Sequence, residues 1–326
     1  MRRGVLGVKV YVNAALDAPA EALLLDGTRG HELVRGEATK SLLHVSDGDD
    51  LQGCDIAFGQ PAPSAIAHAP GLRWVQLTSA GWARYDEPAL KAALRAQGTM
   101  LCNASSVFAV PVAEHAIAMM LALARQLPVS LDEQRGARSW DSKGLRAGAR
   151  TLRGQVVLVL GYGAVAHALA ERLAGFGCEL VGYRRAVRGD EAMPTVDAAG
   201  LDAAWARADH IVNLLPEGGA THDFIDAARL ARGKRGARLY NVGRGSTVNQ
   251  PALVAALRSG QLDAAYLDVT TPEPLPCDDP LWSTPRLYIT PHIAGGHGPE
   301  LSSLVQHFLA NLQRFEADST LVDRVV

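Results

Sequence analysis

From residue 155 onward the chain sets short runs of β-branched and leucine residues against longer alanine-rich stretches. The runs are QVVLVL (155–160), ELVGY (179–183), HIVNLL (210–215), ARLYNV (237–242), AYLDV (265–269) and LYIT (287–290). They lack the apolar–polar alternation of a half-exposed strand, so each predicts a strand buried on both faces. Between them, AVAHALAERLAGFG and QPALVAALRSG are long enough for crossover helices. Strict strand–helix alternation predicts a doubly wound parallel sheet.

The first hundred residues repeat the theme in KVYV (9–12), CDIAFG (54–59) and RWVQLTS (73–79), which predicts a smaller α/β lobe. A long apolar helix is expected from about Val110 to Leu127. Its neighbourhood, VFAVPVAEHAIAMMLALA, carries Pro111, Glu114 and His115 in the middle, which hydrocarbon penalises, so it reads as a buried helix rather than a membrane span. The polar stretch after it, from Ser130 to Gly154, reads as a surface excursion or an oligomer arm, with Trp140 exposed, locally packed or reaching a neighbouring subunit. A packing or dimer role is expected of His115.

Composition narrows the partner. At 326 residues and 48% apolar content the chain has enough material for two domains. Its 32 basic and 34 acidic residues leave a net charge of −2, no field for nucleic acid or an anionic membrane, so a small molecule is expected. Cys54, Cys102, Cys178 and Cys277 lie far apart without metal-ligand spacing. Reduced thiols, a cytoplasmic setting and no metal site follow as expectations. The opening MRRGVLGVKVYV reads as a first strand rather than a signal peptide, because Lys9 interrupts the apolar run.

After QVVLVL comes Gly161-Tyr162-Gly163-Ala164-Val165-Ala166, at the start of an expected helix. Gly161 permits a sharp turn, Gly163 allows backbone to approach a pyrophosphate, and the small Ala166 lets helix pack on strand. The helix start, with Ala164 and Val165, offers free N–H groups to phosphates. The next strand ends in Arg184 and Arg185, where an acid ordinarily meets the adenosine ribose. Two arginines there suit a 2'-phosphate, with Arg188 assisting, so NADP is expected in preference to NAD; solvated loop arginines are the alternative.

Residues 241–296, NVGRGSTVNQPALVAALRSGQLDAAYLDVTTPEPLPCDDPLWSTPRLYITPHIAGG, resemble the D-isomer-specific 2-hydroxyacid dehydrogenases in order and spacing. The likeness extends to VQLTSAGWARYD (75–86), NASSVFAVPVAEHAIAMMLALAR (103–125), the glycine loop and the tail NLQRFEADSTLVDRVV (311–326). It implies a catalytic set of Arg244, Glu273 and His292. The chemistry agrees. A guanidinium holds a keto acid's carboxylate with two directed bonds. A histidine delivers the proton that a carbonyl oxygen needs as hydride arrives, and a carboxylate beside it fixes its tautomer.

The resemblance further assigns Asp268 to the nicotinamide carboxamide, Leu215, Pro216 and Val242 to the cofactor's border, and Thr221 to a phosphate. Ala80, Gly81 and Asn103 are expected to meet the substrate together with Arg244. Three departures from the family pattern stand out. Trp82 and Thr270 are expected to reshape the substrate pocket, and Gly243 to loosen the turn before Arg244.

The implied fold is two Rossmann-like doubly wound parallel-sheet domains. The smaller, flavodoxin-like substrate domain would comprise residues 1–103 and 293–326, with the dinucleotide domain at 104–292 and a cleft that closes on substrate. A homodimer is also implied. The expected activity is hydride transfer between NAD(P)H and a small 2-keto acid, glyoxylate or hydroxypyruvate. The alternative is a dinucleotide-sensing corepressor-like scaffold, against which the intact Arg–Glu–His set argues. A formate dehydrogenase would carry glutamine at position 273.

Overall fold

The computed structural model of the chain describes residues 7–39, 46 and 48–326; Met1–Leu6 of the expected first-strand segment lie outside the described residues. Two compact units emerge, one of Met1–Phe108 with His297–Val326 and one of Ala109–Gly296. The first contains β1 (Lys9–Val12), α1 (Ala18–Gly27), β2 (Glu32–Arg35), β3 (Ile56–Gly59), α2 (Pro63–Ala67), β4 (Trp74–Leu77), α3 (Pro88–Gln97) and β5 (Met100–Cys102). Next come α4 (Ser105–Ala124), which crosses the boundary in the sequence, α5 (Leu127–Arg135), α6 (Ser142–Gly148), β6 (Val156–Leu160), α7 (Ala164–Leu173), β7 (Glu179–Tyr183) and β8 (Thr195–Val196). The remainder is α8 (Ala198–Arg207), β9 (His210–Asn213), α9 (Ala227–Arg232), β10 (Ala237–Asn241), α10 (Gln250–Arg258), β11 (Leu262–Leu267), β12 (Leu287–Ile289) and α11 (Glu300–Glu316).

Among the described residues every strand pair in both sheets is parallel, and Cys102 of β5 adds an antiparallel bridge to Arg324. The first has the order β2-β1-β3-β4-β5, the flavodoxin-like arrangement, and the second β12-β11-β10-β9-β6-β7-β8, the Rossmann order with one strand added. Every predicted strand is present. β2, β5 and β8 had no expectation, for reasons visible in their composition and place. β2 and β8 are sheet edges, β2 flanked by exposed Glu32 and Arg35, and β5 spans only Met100–Cys102.

The continuous apolar runs are explained by burial on two faces. Along β6, Val157 and Val159 join one core with Ala113, Ala116 and Met120 of α4 and Leu169 of α7. Val156, Leu158 and Leu160 join the other, with Trp205 of α8 and Leu253 of α10. The long helix begins earlier than expected and ends at Ala124, because Gln126 takes φ 58° and Pro128 opens α5. The polar stretch beyond it forms α5 and α6, and Trp140 between them is 94% exposed.

In the first unit, Phe308 of α11 stacks on Phe58 at 4.5 Å and on Trp74 at 5.3 Å between ring centroids. Burying that ring stabilises by about 2–3 kcal/mol. It joins the C-terminal segment to a sheet built from the start of the chain.

Candidate active site

The order of the second sheet reverses between β6 and β9, and ligands of such sheets bind outside the strand C-termini at that point. The glycine turn lies there. Gly161 has φ 93°, and a Cβ on it would stand 3.0 Å from the carbonyl oxygen of Leu214. Its N–H donates to Tyr183 O at 3.0 Å, tying the turn to β7. Gly163 precedes α7, no side chain caps that helix, and a Cβ at Gly163 would meet nothing within 4 Å. The first bond of α7 runs from His167 N to Gly163 O at 3.2 Å, so the N–H groups of Ala164, Val165 and Ala166 precede the ladder. Open space over an uncapped helix start fits a dinucleotide's phosphates. Ala166 is fully buried, as close packing requires.

At the end of β7, Arg184 and Arg185 occupy the expected place, with a partner the sequence reading missed. Arg184 Nη1 donates to Glu191 Oε1 at 2.8 Å, and its guanidinium lies 5.5 Å from the centre of the Tyr162 ring. Glu191 also accepts the N–H groups of Arg188 and Gly189, each at 2.8 Å. Its side chain is only 4% exposed. The Arg188 amide, with the Arg184 and Gly189 bonds and against the cost of desolvation, holds its pKa down at about 2. Arg185 and Arg188 are exposed on the same closed loop.

Arg244 follows β10 on a turn framed by buried amides. Asn213 Nδ2 lies 2.9 Å from Asn241 Oδ1, which also accepts Gly243 N–H at 3.1 Å. Asn241 Nδ2 and Thr247 Oγ1 both donate to Arg244 O. A Cβ at Gly243 would stand 2.8 Å from Leu215 O, and one at Gly245 would stand 2.0 Å from Thr270 O. The expectation that Gly243 loosens the turn is therefore corrected. Glycine is what the close approach of Leu215 admits, and the turn is tightly held. Arg244 Nη1 donates to Gly243 O at 2.6 Å. Burial pushes the pKa of this guanidinium down, and the charges of Glu217 and Glu273 oppose the shift.

His292 and Glu273 come together as the sequence implied, with Nδ1 and Oε2 2.9 Å apart. Glu273 Oε1 accepts the N–H of Thr270 at 2.9 Å. Burial works to raise the Glu273 pKa, yet the His292 bond, the Thr270 amide and the Arg244 charge outweigh it and leave it lowered. Thr270 is buried, and its hydroxyl donates to Pro272 O at 2.9 Å, so its observed contacts support Glu273. With Nδ1 engaged, Nε2 is the imidazole nitrogen free for chemistry.

The turn that carries His292 has φ 54° and is held by Asp268. That carboxylate accepts Ile293 N–H through Oδ1 at 2.9 Å and Ala294 N–H through Oδ2 at 3.0 Å, and His292 N–H donates to Asp268 O at 2.8 Å. Thr290 Oγ1 donates to Oδ1 as well, and Tyr266 OH links Thr290 to His115 Nε2. Asp268 thus positions the histidine, a role its place in the LDV segment did not disclose. The ring of His115 accordingly faces the sheet.

Leu215 is buried beneath the turn that Pro216 begins, and Val242 N–H donates to Asn213 O at 3.2 Å. Thr221 Oγ1 lies 2.6 Å from Pro216 O and 3.0 Å from Gly218 O, closing its own turn. In the first unit, Asn103 Nδ2 donates to Ala80 O at 2.8 Å and Ser79 Oγ to Gly81 O at 2.7 Å, so Ala80, Gly81 and Asn103 form one local group. Trp82 packs against the core of that unit, with Lys91 Nζ 6.0 Å from its ring centre.

A Rossmann sheet with an open glycine turn at its switch point, and with an arginine and a Glu–His pair beyond its strand ends, defines a dinucleotide-dependent oxidoreductase. Comparison with known proteins makes this specific. Residues 117–294 match the model of the D-isomer specific 2-hydroxyacid dehydrogenase, NAD binding domain. The glyoxylate/hydroxypyruvate reductase B of Erwinia tasmaniensis is 35% identical over 236 residues, covering 70% of each chain. The D-3-phosphoglycerate dehydrogenase of Mycobacterium tuberculosis is 33% identical over 229 residues, 70% of this chain but only 42% of that protein. Among solved structures, the NADPH-dependent glyoxylate/hydroxypyruvate reductase of Sinorhizobium meliloti, in complex with NADP and sulfate, superposes with TM-score 0.80 at 27% identity and 98% coverage of both chains. A D-isomer specific 2-hydroxyacid dehydrogenase of Xanthobacter autotrophicus, in complex with NADPH and MES, gives TM-score 0.81 at 27% identity and the same coverage. The chain belongs to the D-isomer-specific 2-hydroxyacid dehydrogenase family, oxidoreductases acting on CH–OH donors.

Proposed function

We propose that this chain reduces a small 2-keto acid, glyoxylate or hydroxypyruvate, to the D-2-hydroxy acid and prefers NADPH to NADH. The observation that carries the reading is the 2.9 Å contact between His292 Nδ1 and Glu273 Oε2, beyond the same strand ends as Arg244. Arg244 holds the substrate carboxylate through two N–H donors and polarises the neighbouring carbonyl. His292 gives its Nε2 proton to the carbonyl oxygen as negative charge builds there, and Glu273 fixes the ring and stabilises its charged form. The amides of Ala80 and Gly81, with Asn103, contribute to substrate binding.

Gly161, Gly163 and the first turn of α7 would hold a dinucleotide, bordered by Leu215, Pro216, Thr221, Val242 and Asp268, and a bound reduced nicotinamide supplies the hydride. Arg184 and Arg185 receive the 2'-phosphate. The names of the relatives support the substrate class, since two of those above are glyoxylate/hydroxypyruvate reductases. A homodimer and a cytoplasmic setting belong to the same proposal, supported by four free thiols and an exposed Trp140 suited to a subunit contact. Neither nucleic acid nor a membrane is proposed as a partner.

The test is a kinetic panel of 2-keto acids, each with NADPH and with NADH, following loss of the reduced cofactor. Turnover of glyoxylate or hydroxypyruvate with a lower KM for NADPH is expected, and Arg184→Asp should move preference toward NADH. Tight cofactor binding with no turnover of any acid would favour a dinucleotide-sensing scaffold instead.

A further inference from the structure

All seven strands of the second unit run the same way, so the glycine turn, Arg244, Asp268 and His292 share the C-terminal edge of the sheet. At the opposite edge, about 16 Å away along a five-residue strand, a recess of about 380 Å³ opens among the strand starts. That volume lies in the range of small-molecule sites. Arg150, Arg235, Arg238 and Arg286 are among the residues that line it.

One carboxylate serves two of these arginines. Asp263 accepts Arg238 Nε through Oδ2 at 2.8 Å and Arg286 Nη2 through Oδ1 at 2.7 Å. Arg286 takes φ 61° there, a conformation few non-glycine residues adopt. The side chain of Arg238 is only 8% exposed. Arg150 donates to the carbonyls of Ala147 and Ala149, and Arg235 to that of Ser259; among the described residues neither meets a carboxylate. The second acid of the recess, Asp209, is cancelled by Lys234 at 2.6 Å. Four arginines against Asp263 leave three positive charges in excess.

The floor adds no charge of its own. His210 is buried between Tyr240 OH at 3.0 Å and Gln155 Oε1 at 2.6 Å. Burial first, and the Arg238 charge second, push its pKa down to about 4 against the pull of Asp209, so the ring is neutral at physiological pH. Guanidinium forks with unspent N–H groups match the oxygens of phosphate and carboxylate.

We propose that this recess binds a small, multiply charged oxyanion of phosphate or polycarboxylate chemistry, at a site separate from the reaction centre. The variant Arg150→Gln/Arg235→Gln removes two charges without touching the Asp263 pairs. Melting of the full chain is compared in phosphate, in citrate and in chloride at matched ionic strength, since an anion that binds the folded state raises its melting temperature. A saturable rise with at least one oxyanion is expected, reduced at least fivefold in the double variant and retained in Arg244→Ala. A response to phosphate alone or to citrate alone identifies which chemistry the site takes. The proposal is overturned by no saturable rise with either anion, by an equal rise in wild type and double variant, or by loss of the rise in Arg244→Ala, which would place the anion at the reaction centre.

Discussion

Arg184 Nη1 donates to Glu191 Oε1 at 2.8 Å, so the base at the end of β7 is answered by an acid seven residues further along the same loop. The pair closes the loop that presents Arg185 and Arg188, with Glu191 as the common acceptor. Glu191→Gln should therefore speed hydrogen exchange at the amides of Arg188 and Gly189 and raise KM for NADPH severalfold, with kcat little changed. Its lowered pKa of about 2 sets the pH window. The contribution is complete above the ordinary carboxylate value of about 4.3 and is lost as pH falls toward 2. Amide exchange in the wild type followed from pH 5 to 2 checks this; protection independent of pH would show that Glu191 does not hold the loop.

His292→Gln removes the proposed proton donor without opening a cavity. We expect kcat to fall by about 10²–10⁴, with NADPH affinity measured by titration unchanged. Near-normal turnover would mean that another group, or water, delivers the proton.

At Gly243 a Cβ would stand 2.8 Å from Leu215 O, with backbone rather than a yielding side chain as the obstacle. Gly243→Ala should cost about 1–3 kcal/mol, read from urea unfolding, and should raise KM for the keto acid by displacing Arg244. Wild-type stability and KM together would show that the turn has room to move.

His210 makes stability depend on pH with the same sign as Glu191 but over the interval just above it. Its folded pKa lies at about 4, below the ordinary value of about 6.5, so the unfolded chain binds the proton more readily. Its contribution is full above 6.5 and is lost as pH falls toward 4, amounting to about 3 kcal/mol. Denaturant unfolding from pH 7.5 to 4 should show that loss, and His210→Gln should flatten the curve over this interval. An unchanged slope in the variant would assign the pH dependence to other groups.

Much of the architecture was legible because its causes are local. Apolar runs buried on two faces, glycine at a positive φ and proline at a helix start each act within a few residues. The strands absent from the expectation, β2, β5 and β8, are short or at sheet edges, where burial leaves little mark on composition. The Arg–Glu–His set was legible for another reason, since the spacing of its segments resembles that of a family. Thr270 shows the limit of such likeness: it stands at an unusual position, and its contacts in the fold support Glu273.

Two parallel-sheet units, the glycine turn and the residues presented beyond the strand ends follow from the order of residues along the chain. That Asp268 holds the His292 turn and that Glu191 is the partner of Arg184 emerged with the folded chain. It also gathered Arg150, Arg235, Arg238 and Arg286 round one recess. The reason is physical. A strand's burial is written in adjacent residues, whereas a carboxylate's partner depends on which distant segments the folded chain brings within about 3 Å.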